Sequence, residues 1–110
     1  MSEEESFFPK DLLSKAELQP ESNELLWRLP DMDAVINTLE KNRKVILGLD
    51  VFSSESGGLK VIGYSNFSRE LKSISDHEIR LRKSAKMARD HLLKQENFDQ
   101  LRITITWDSV

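Results

Sequence analysis

The clearest pattern in the chain is a four-residue apolar stripe that predicts an amphipathic helix. Apolar side chains recur at i, i+3, i+4 and i+7, and this spacing places them on one helical face: Met32, Val35, Ile36 and Leu39. Asp31 or Asp33 would accept hydrogen bonds from the free backbone N–H groups at the start of this helix, where negative charge is also favoured. Three basic residues within positions 41–44 would close its end.

Two further helices are predicted, one before and one after this helix along the chain. Ser75 and Glu78 have the Ser-x-x-Glu spacing of a capping box, so a long helix should follow to about Gln95. Its buried stripe would be Leu81, Ala85, Ala88 and Leu92. A shorter helix over residues 9–18 is predicted because Pro9 suits the first helical turn and is followed by a short apolar stripe.

Three segments have the pattern of β-strands, and a fourth is short. Residues 45–52 are nearly continuously apolar, as expected of a central strand that is covered on both faces. After a polar loop at 53–58, residues 59–64 predict the returning strand, and residues 65–73 either continue it or loop out. Residues 101–107 alternate strictly, with Leu101, Ile103, Ile105 and Trp107 facing the core and the polar side facing water. Residues 25–29 predict a short extended segment.

These elements predict an α+β domain, with a small mixed or antiparallel sheet of about four strands packed with two to three helices. The chain has 110 residues, enough for one modest core, so we expect one domain over residues 9–110. Residues 1–8 are expected to form an acidic, flexible tail. The acidic start differs from a basic signal peptide, and no apolar run reaches the ~18 residues that span a bilayer. We therefore expect a cytoplasmic protein without a membrane partner.

The chemistry-bearing residues are few. The chain has no cysteine, which excludes disulfides, thiolate metal sites and cysteine nucleophiles. His77 and His91 lie fourteen residues apart on the predicted long helix, about 21 Å along its axis, too far to share a metal ion. No nucleotide-binding or hydrolase motif is present. We therefore expect no catalytic residue, no metal and no cofactor.

Asp50 is the most unusual single residue because it lies inside an apolar strand. Burial of an ionised carboxylate is costly unless the group is paired or hydrogen-bonded. Asp50 is therefore either a paired or end-of-strand acid, or a carboxylate that serves a partner or a site. A small enzyme centred on Asp50 and a histidine is one alternative function. Near the same hairpin, Tyr64 and Phe67 are either exposed anchors for a partner or buried aromatics.

Charge is distributed unevenly along the chain. Residues 1–40 hold ten acids and three bases, a net charge of −7, while residues 71–95 hold seven bases and three acids, a net charge of +4. A basic helix over 80–94 is compatible with binding to a nucleic-acid backbone, and this is a second alternative function. The helix has no interleaved aromatic residue and no groove-reading motif, so a solvated helix face is the preferred interpretation.

The order of local motifs resembles a family of small bacterial immunity proteins, the immunity protein 40 type. These proteins belong to polymorphic-toxin and contact-dependent growth inhibition systems. The resemblance is carried by Pro-Lys-Asp-Leu-Leu-Ser-Lys at 9–15, Glu-Leu-Leu-Trp at 24–27, the helix 33–39, Ile-Leu-Gly-Leu-Asp-Val-Phe at 46–52, Tyr-Ser-Asn-Phe at 64–67 and the segment 84–92. The chain departs from the family pattern at three positions, with Leu49 for a glycine, Phe52 for a tyrosine and Phe67 for a tryptophan.

The resemblance implies that the protein binds a cognate toxin C-terminal domain tightly and occludes it, without any catalytic step. Because many such toxins attack nucleic acid and are basic, acidic residues of the first 40 would suit the partner. The expected partner-binding residues are Asp50, Tyr64, Asn66 and Phe67 around the hairpin, together with Glu17, Glu21, Asp31 and Asp33. A monomer or a weak homodimer is expected.

Overall fold

The structure, a computed structural model, describes residues 8–18, 24–54, 60–95 and 100–109. One antiparallel sheet has the strand order β1-β2-β5-β3-β4, with strands β1 (Glu17–Leu18), β2 (Leu25–Arg28), β3 (Lys44–Ser53), β4 (Lys60–Asn66) and β5 (Leu101–Ser109). The helices within the described residues are α1 (Lys10–Leu13), α2 (Met32–Lys41), α3 (Ser68–Lys72) and α4 (His77–Leu92). The predicted α+β class is confirmed, with five strands rather than about four.

The core lies between the helices and one face of the sheet, which we call the helix face. Helices α2 and α4 contact each other and β3. The α2 stripe is buried as predicted, with Val35 and Leu39 fully buried. The sheet contributes alternate side chains to the same core: Leu49, Val51, Ile103 and Ile105. Phe8 is also buried and contacts the Trp27 and Trp107 rings, so the core already includes the last residue of the predicted tail.

The opposite side of the sheet is the open face, since no helix within the described residues packs on it. Its side chains come from the intervening positions of β3, β4 and β5: Asp50, Tyr64, Asn66, Thr104 and Thr106. Leu26 and Phe52 are buried but lie outside the main core cluster. Thr104 is also buried, at 5% exposure, whereas the alternation predicts that it faces water. The exposed part of this face therefore lies towards β4.

A β-bulge in β3 links the sheet to α4. The register of β3 against β5 shifts between Ile46 and Gly48. Beside this shift the Ile46 backbone N–H donates to Ser84 Oγ at 3.0 Å, and Ser84 Oγ donates to the Leu81 carbonyl at 2.9 Å. Ser84 is completely buried. A polar side chain in the helix stripe thus pairs a strand N–H that would otherwise be buried without a partner.

Gly48 is required at the bulge because β4 passes very close to it. A Cβ atom at this position would lie 2.4 Å from the Ser65 carbonyl oxygen, a distance that real side chains do not tolerate. Gly63, on β4, is different, since no atom lies within 4 Å of the equivalent position. The glycine of the 46–52 motif is therefore set by the close approach of two strands.

Several predicted boundaries are corrected by the structure. The helix predicted over 9–18 ends at Leu13, and its last two residues form β1 instead, paired with β2. The long helix begins one residue later than the capping box predicts, because the Asp76 side chain, and not Ser75, accepts from the Ile79 N–H. Asp31 lies at the N-terminus of α2 but makes no side-chain cap. The residues after β4 form α3.

Candidate functional site

Asp50 and Tyr64 form the centre of the exposed open face. Strand pairing places Asp50 directly opposite Tyr64 on β4 and opposite Thr104 on β5. Tyr64 is 75% exposed, although it lies within a regular strand, while Asp50 is half-buried. Within the described residues the Asp50 carboxylate has no hydrogen-bond or ion-pair partner, so of the alternatives left open by the sequence the structure favours an unpaired acid at the surface of the sheet.

A shallow depression of about 200 Å³ lies beside this pair. Gly48 lines the depression together with Asn66 and Thr106, its partners on the two neighbouring strands. The Asn66 side-chain oxygen accepts from the Ser68 backbone N–H at 2.9 Å, which fixes the side chain at the start of α3. The amide nitrogen of Asn66 then remains able to donate a hydrogen bond to a partner.

Phe67, the fourth hairpin residue predicted to bind a partner, lies elsewhere. It is 6% exposed and belongs to the core cluster, and its backbone N–H donates to the Leu47 carbonyl at 2.7 Å. The structure therefore brings Asp50, Tyr64 and Asn66 together on the open face and places Phe67 in the core. The sequence left both roles open for each aromatic residue because proximity along the chain does not specify a face.

The acidic residues of the first 40 do not form one unpaired patch. Glu17 pairs with Arg102 at 3.0 Å, Asp31 with Lys15 at 3.9 Å, and Asp33 with Arg89 at 3.5 Å. These three acids lie on β1, on the 3-10 turn at Leu29–Asp31 and on α2. Glu21 falls outside the described residues. Intramolecular cations thus partly neutralise the acids expected to attract a basic partner.

The two histidines lie in different settings. His77 is exposed in the first turn of α4. His91 is half-buried, and its Nδ1 lies 2.9 Å from the Ser65 hydroxyl oxygen. Burial, and secondarily the positive charge of Lys94, lowers the pKa of His91 below its ordinary value of 6.5. This Ser–His contact links β4 to α4 and was not foreseen from the sequence, since no periodicity relates the two residues.

The proposed centre of Asp50 and a histidine is not assembled around His91. Ser65, which contacts His91, pairs with Leu49 on the helix face, and Asp50 is the next residue after Leu49 along β3. Successive strand side chains point to opposite faces, so Asp50 and His91 lie on opposite sides of the sheet. Asp50 therefore cannot orient this imidazole as the acid of a Ser–His–Asp triad does.

The basic helix uses half of its charges within the molecule. Arg80 donates to the Ile74 carbonyl, Lys86 pairs with Asp90 at 2.9 Å, and Arg89 pairs with acids of α2. The bases of the 80–94 segment that make neither an ion pair nor a side-chain hydrogen bond with described residues are Arg82, Lys83 and Lys94. This leaves a weaker basic surface than the six bases suggest.

Two negative findings apply to the part of the chain that the structure describes. There, no group of three or more histidine and carboxylate side chains is arranged to hold a metal ion. In the same residues, no helix has both the length and the apolar character required to cross a bilayer.

Comparison of the chain with protein-family models, with curated proteins and with solved structures finds no significant match.

Proposed function

We propose that the protein is an immunity protein that binds and neutralises a cognate bacterial toxin domain, and that it does so through the open face around Asp50, Tyr64 and Asn66. The observation that carries the proposal is the 75% exposure of Tyr64 beside a carboxylate without a partner among the described residues. A tyrosine held on a sheet loses little conformational freedom when it becomes buried in an interface, and tyrosine is enriched among the residues that dominate binding energy.

The mechanism is occlusion of the toxin by a preformed surface. Asp50, Tyr64 and Asn66, which we call the patch, lie on paired strands, and Asn66 is also fixed by its bond to the Ser68 N–H. A preformed surface avoids the free-energy cost of ordering loops on binding. The negative charge of Asp50 would raise the association rate with a basic toxin and fix its orientation. Neutralisation then requires only that the bound protein cover the toxin's active or exposed site, in the cytoplasm of the producing cell or its siblings.

The exposed apolar side chains near the patch support the same proposal. Val61 and Ile62, also on β4, are 55% and 53% exposed. β4 is an edge strand of the sheet and continues the patch. Exposed apolar surface that adjoins polar groups is typical of protein interaction sites.

The proposal is tested by co-purification with a candidate toxin. The full-length tagged chain is co-expressed with the C-terminal domain of a candidate toxin, chosen as a large secreted protein whose gene adjoins the gene of this chain. We expect a stoichiometric complex and restored growth of cells that produce the toxin domain. Two folded proteins that do not associate would contradict the proposal. Binding of the chain to nucleic acid, with an affinity that falls steeply with salt, would favour the basic helix instead.

A further inference from the structure

Asp50 differs from most other acids of the described chain because no cation neutralises it. Six acids pair with lysine or arginine side chains at up to 3.9 Å: Glu17, Asp31, Asp33, Glu40, Glu78 and Asp90. Asp50 is flanked on the sheet by Tyr64 and Thr104, which carry no positive charge. A half-buried carboxylate in these surroundings is complementary to an external cation.

The strand register brings the Tyr64 ring close to this carboxylate. The Phe67 N–H donates to the Leu47 carbonyl, so the hydrogen-bonded pairs of the β3–β4 ladder continue at Leu49 with Ser65. Asp50 and Tyr64 are then a non-hydrogen-bonded pair, the type in which opposite Cα atoms approach to about 4.5 Å and side chains lie closest. One cation can therefore contact the carboxylate and the aromatic ring together.

The space beside the pair suits a flat group. A depression of about 200 Å³ adjoins Asp50 and Tyr64 and is also lined by Gly48, Asn66 and Thr106. A guanidinium group is planar, binds carboxylates through two parallel hydrogen bonds and stacks on aromatic rings. An ammonium group has the charge but not the flat shape.

We propose that Asp50 and Tyr64 form a receptor for one arginine side chain of the partner protein. The guanidinium lies in the depression beside Gly48, bonded to the Asp50 carboxylate and stacked on the Tyr64 ring. That the arginine belongs to a toxin rests on the proposed function, whereas the chemistry of the receptor does not. The site can therefore be tested without a toxin.

The test uses two small probes of equal shape and different charge. The ¹⁵N-labelled full-length protein is titrated with N-acetyl-arginine methylamide and, separately, with the neutral citrulline analogue, while amide chemical shifts are recorded. We expect saturable shifts confined to residues 48–50, 64–66 and 104–106, about threefold or more larger for arginine, since only that probe is cationic. Asp50→Asn and Tyr64→Leu should each reduce these shifts, and Asp11→Asn, at an exposed acid of α1, should not.

Any one of four results would contradict the proposed receptor: equal responses to the two probes, shifts elsewhere, no response at all, or an Asp50→Asn variant that responds like the wild type. The amide spectrum of each variant reports that it is folded. The toxin complex gives an independent result. A complex that forms equally well with Asp50→Asn overturns the receptor and leaves the proposed function intact, whereas a responsive receptor in a protein that binds no toxin domain contradicts only the proposed function.

Discussion

The two faces of the sheet are built from the same strands, but their side chains differ in burial and in the contacts that they make within the molecule. Along β3, Leu49 and Val51 are buried against the helices, while Asp50 between them has no partner among the described residues. Neighbouring residues of one strand therefore have two different roles. Side chains on the helix face hold the fold together, and those on the exposed part of the open face are available to bind a partner.

The largest expected effect contrasts the two faces directly. Ile103 on β5 is fully buried on the helix face, so Ile103→Ala should lower the free energy of unfolding by about 3 kcal/mol through lost burial and a cavity. Tyr64→Ala on the open face should lower it by less than about 1 kcal/mol, because only a cross-strand contact is lost. Urea unfolding measures both changes. Equal losses would contradict the division of roles between the faces.

The glycines of β3 and β4, Gly48 and Gly63, allow a second comparison, between a crowded and an open position of the sheet. Gly48→Ala should lower the free energy of unfolding by about 2 kcal/mol, since the new methyl group meets the Ser65 backbone and the strands must move apart. Gly63→Ala is the matched control and should change stability by less than about 0.5 kcal/mol, because the space around it is open. Thermal unfolding of both variants tests the expectation, which fails if Gly48→Ala is the milder of the two.

The third prediction concerns the polar contact between the Ile46 N–H and Ser84 Oγ inside the helix face. Ser84→Ala removes the acceptor of the buried Ile46 N–H and should cost about 1–2 kcal/mol of unfolding free energy. Ser14→Ala is the control, since Ser14 is exposed and its hydroxyl donates to the Asp11 carbonyl within its own turn. Hydrogen exchange of the Ile46 amide should accelerate in Ser84→Ala. An unchanged exchange rate together with unchanged stability would contradict the assigned role.

The smallest effect concerns the Ser65–His91 contact. Because burial and Lys94 lower the pKa of His91 in the folded state, the unfolded chain takes up its proton first as pH falls. The contribution of neutral His91 to the free energy of unfolding is therefore fully present above about pH 6.5. It declines below that pH until the folded-state pKa is reached. His91→Gln should make the loss of stability from pH 7 to pH 5 shallower than in the wild type, as followed by urea unfolding at each pH. Identical slopes would contradict this assignment.

Much of the fold could be predicted from periodicity alone. The α2 stripe, the apolar run of β3 and the alternation of β5 each depend on local spacing, and each element is observed close to its predicted position. The burial of Thr104 and the pairing of β1 were not foreseen, because both depend on residues distant in sequence. The capping error at Ser75 arose because Asp76, one residue later, is an equally good cap.

The candidate site was predicted only in part. Asp50, Tyr64 and Asn66 could be named from their positions near a hairpin, but their common face follows from the register, which the sequence does not specify. For the same reason Phe67 could not be assigned to the core beforehand. That no described lysine or arginine pairs with Asp50 follows from the tertiary structure and not from the sequence pattern, and it is the basis of the proposed arginine receptor.

The central claim is that the open face binds the partner protein, and the affinity of the toxin domain for two matched variants tests it most directly. Tyr64→Ala removes an exposed side chain from this face, and Ile79→Ala removes one that is 56% exposed on α4. Isothermal titration should give an affinity loss of about tenfold or more for Tyr64→Ala and less than about twofold for Ile79→Ala. Wild-type affinity for Tyr64→Ala, or a larger loss for Ile79→Ala, would contradict the claim.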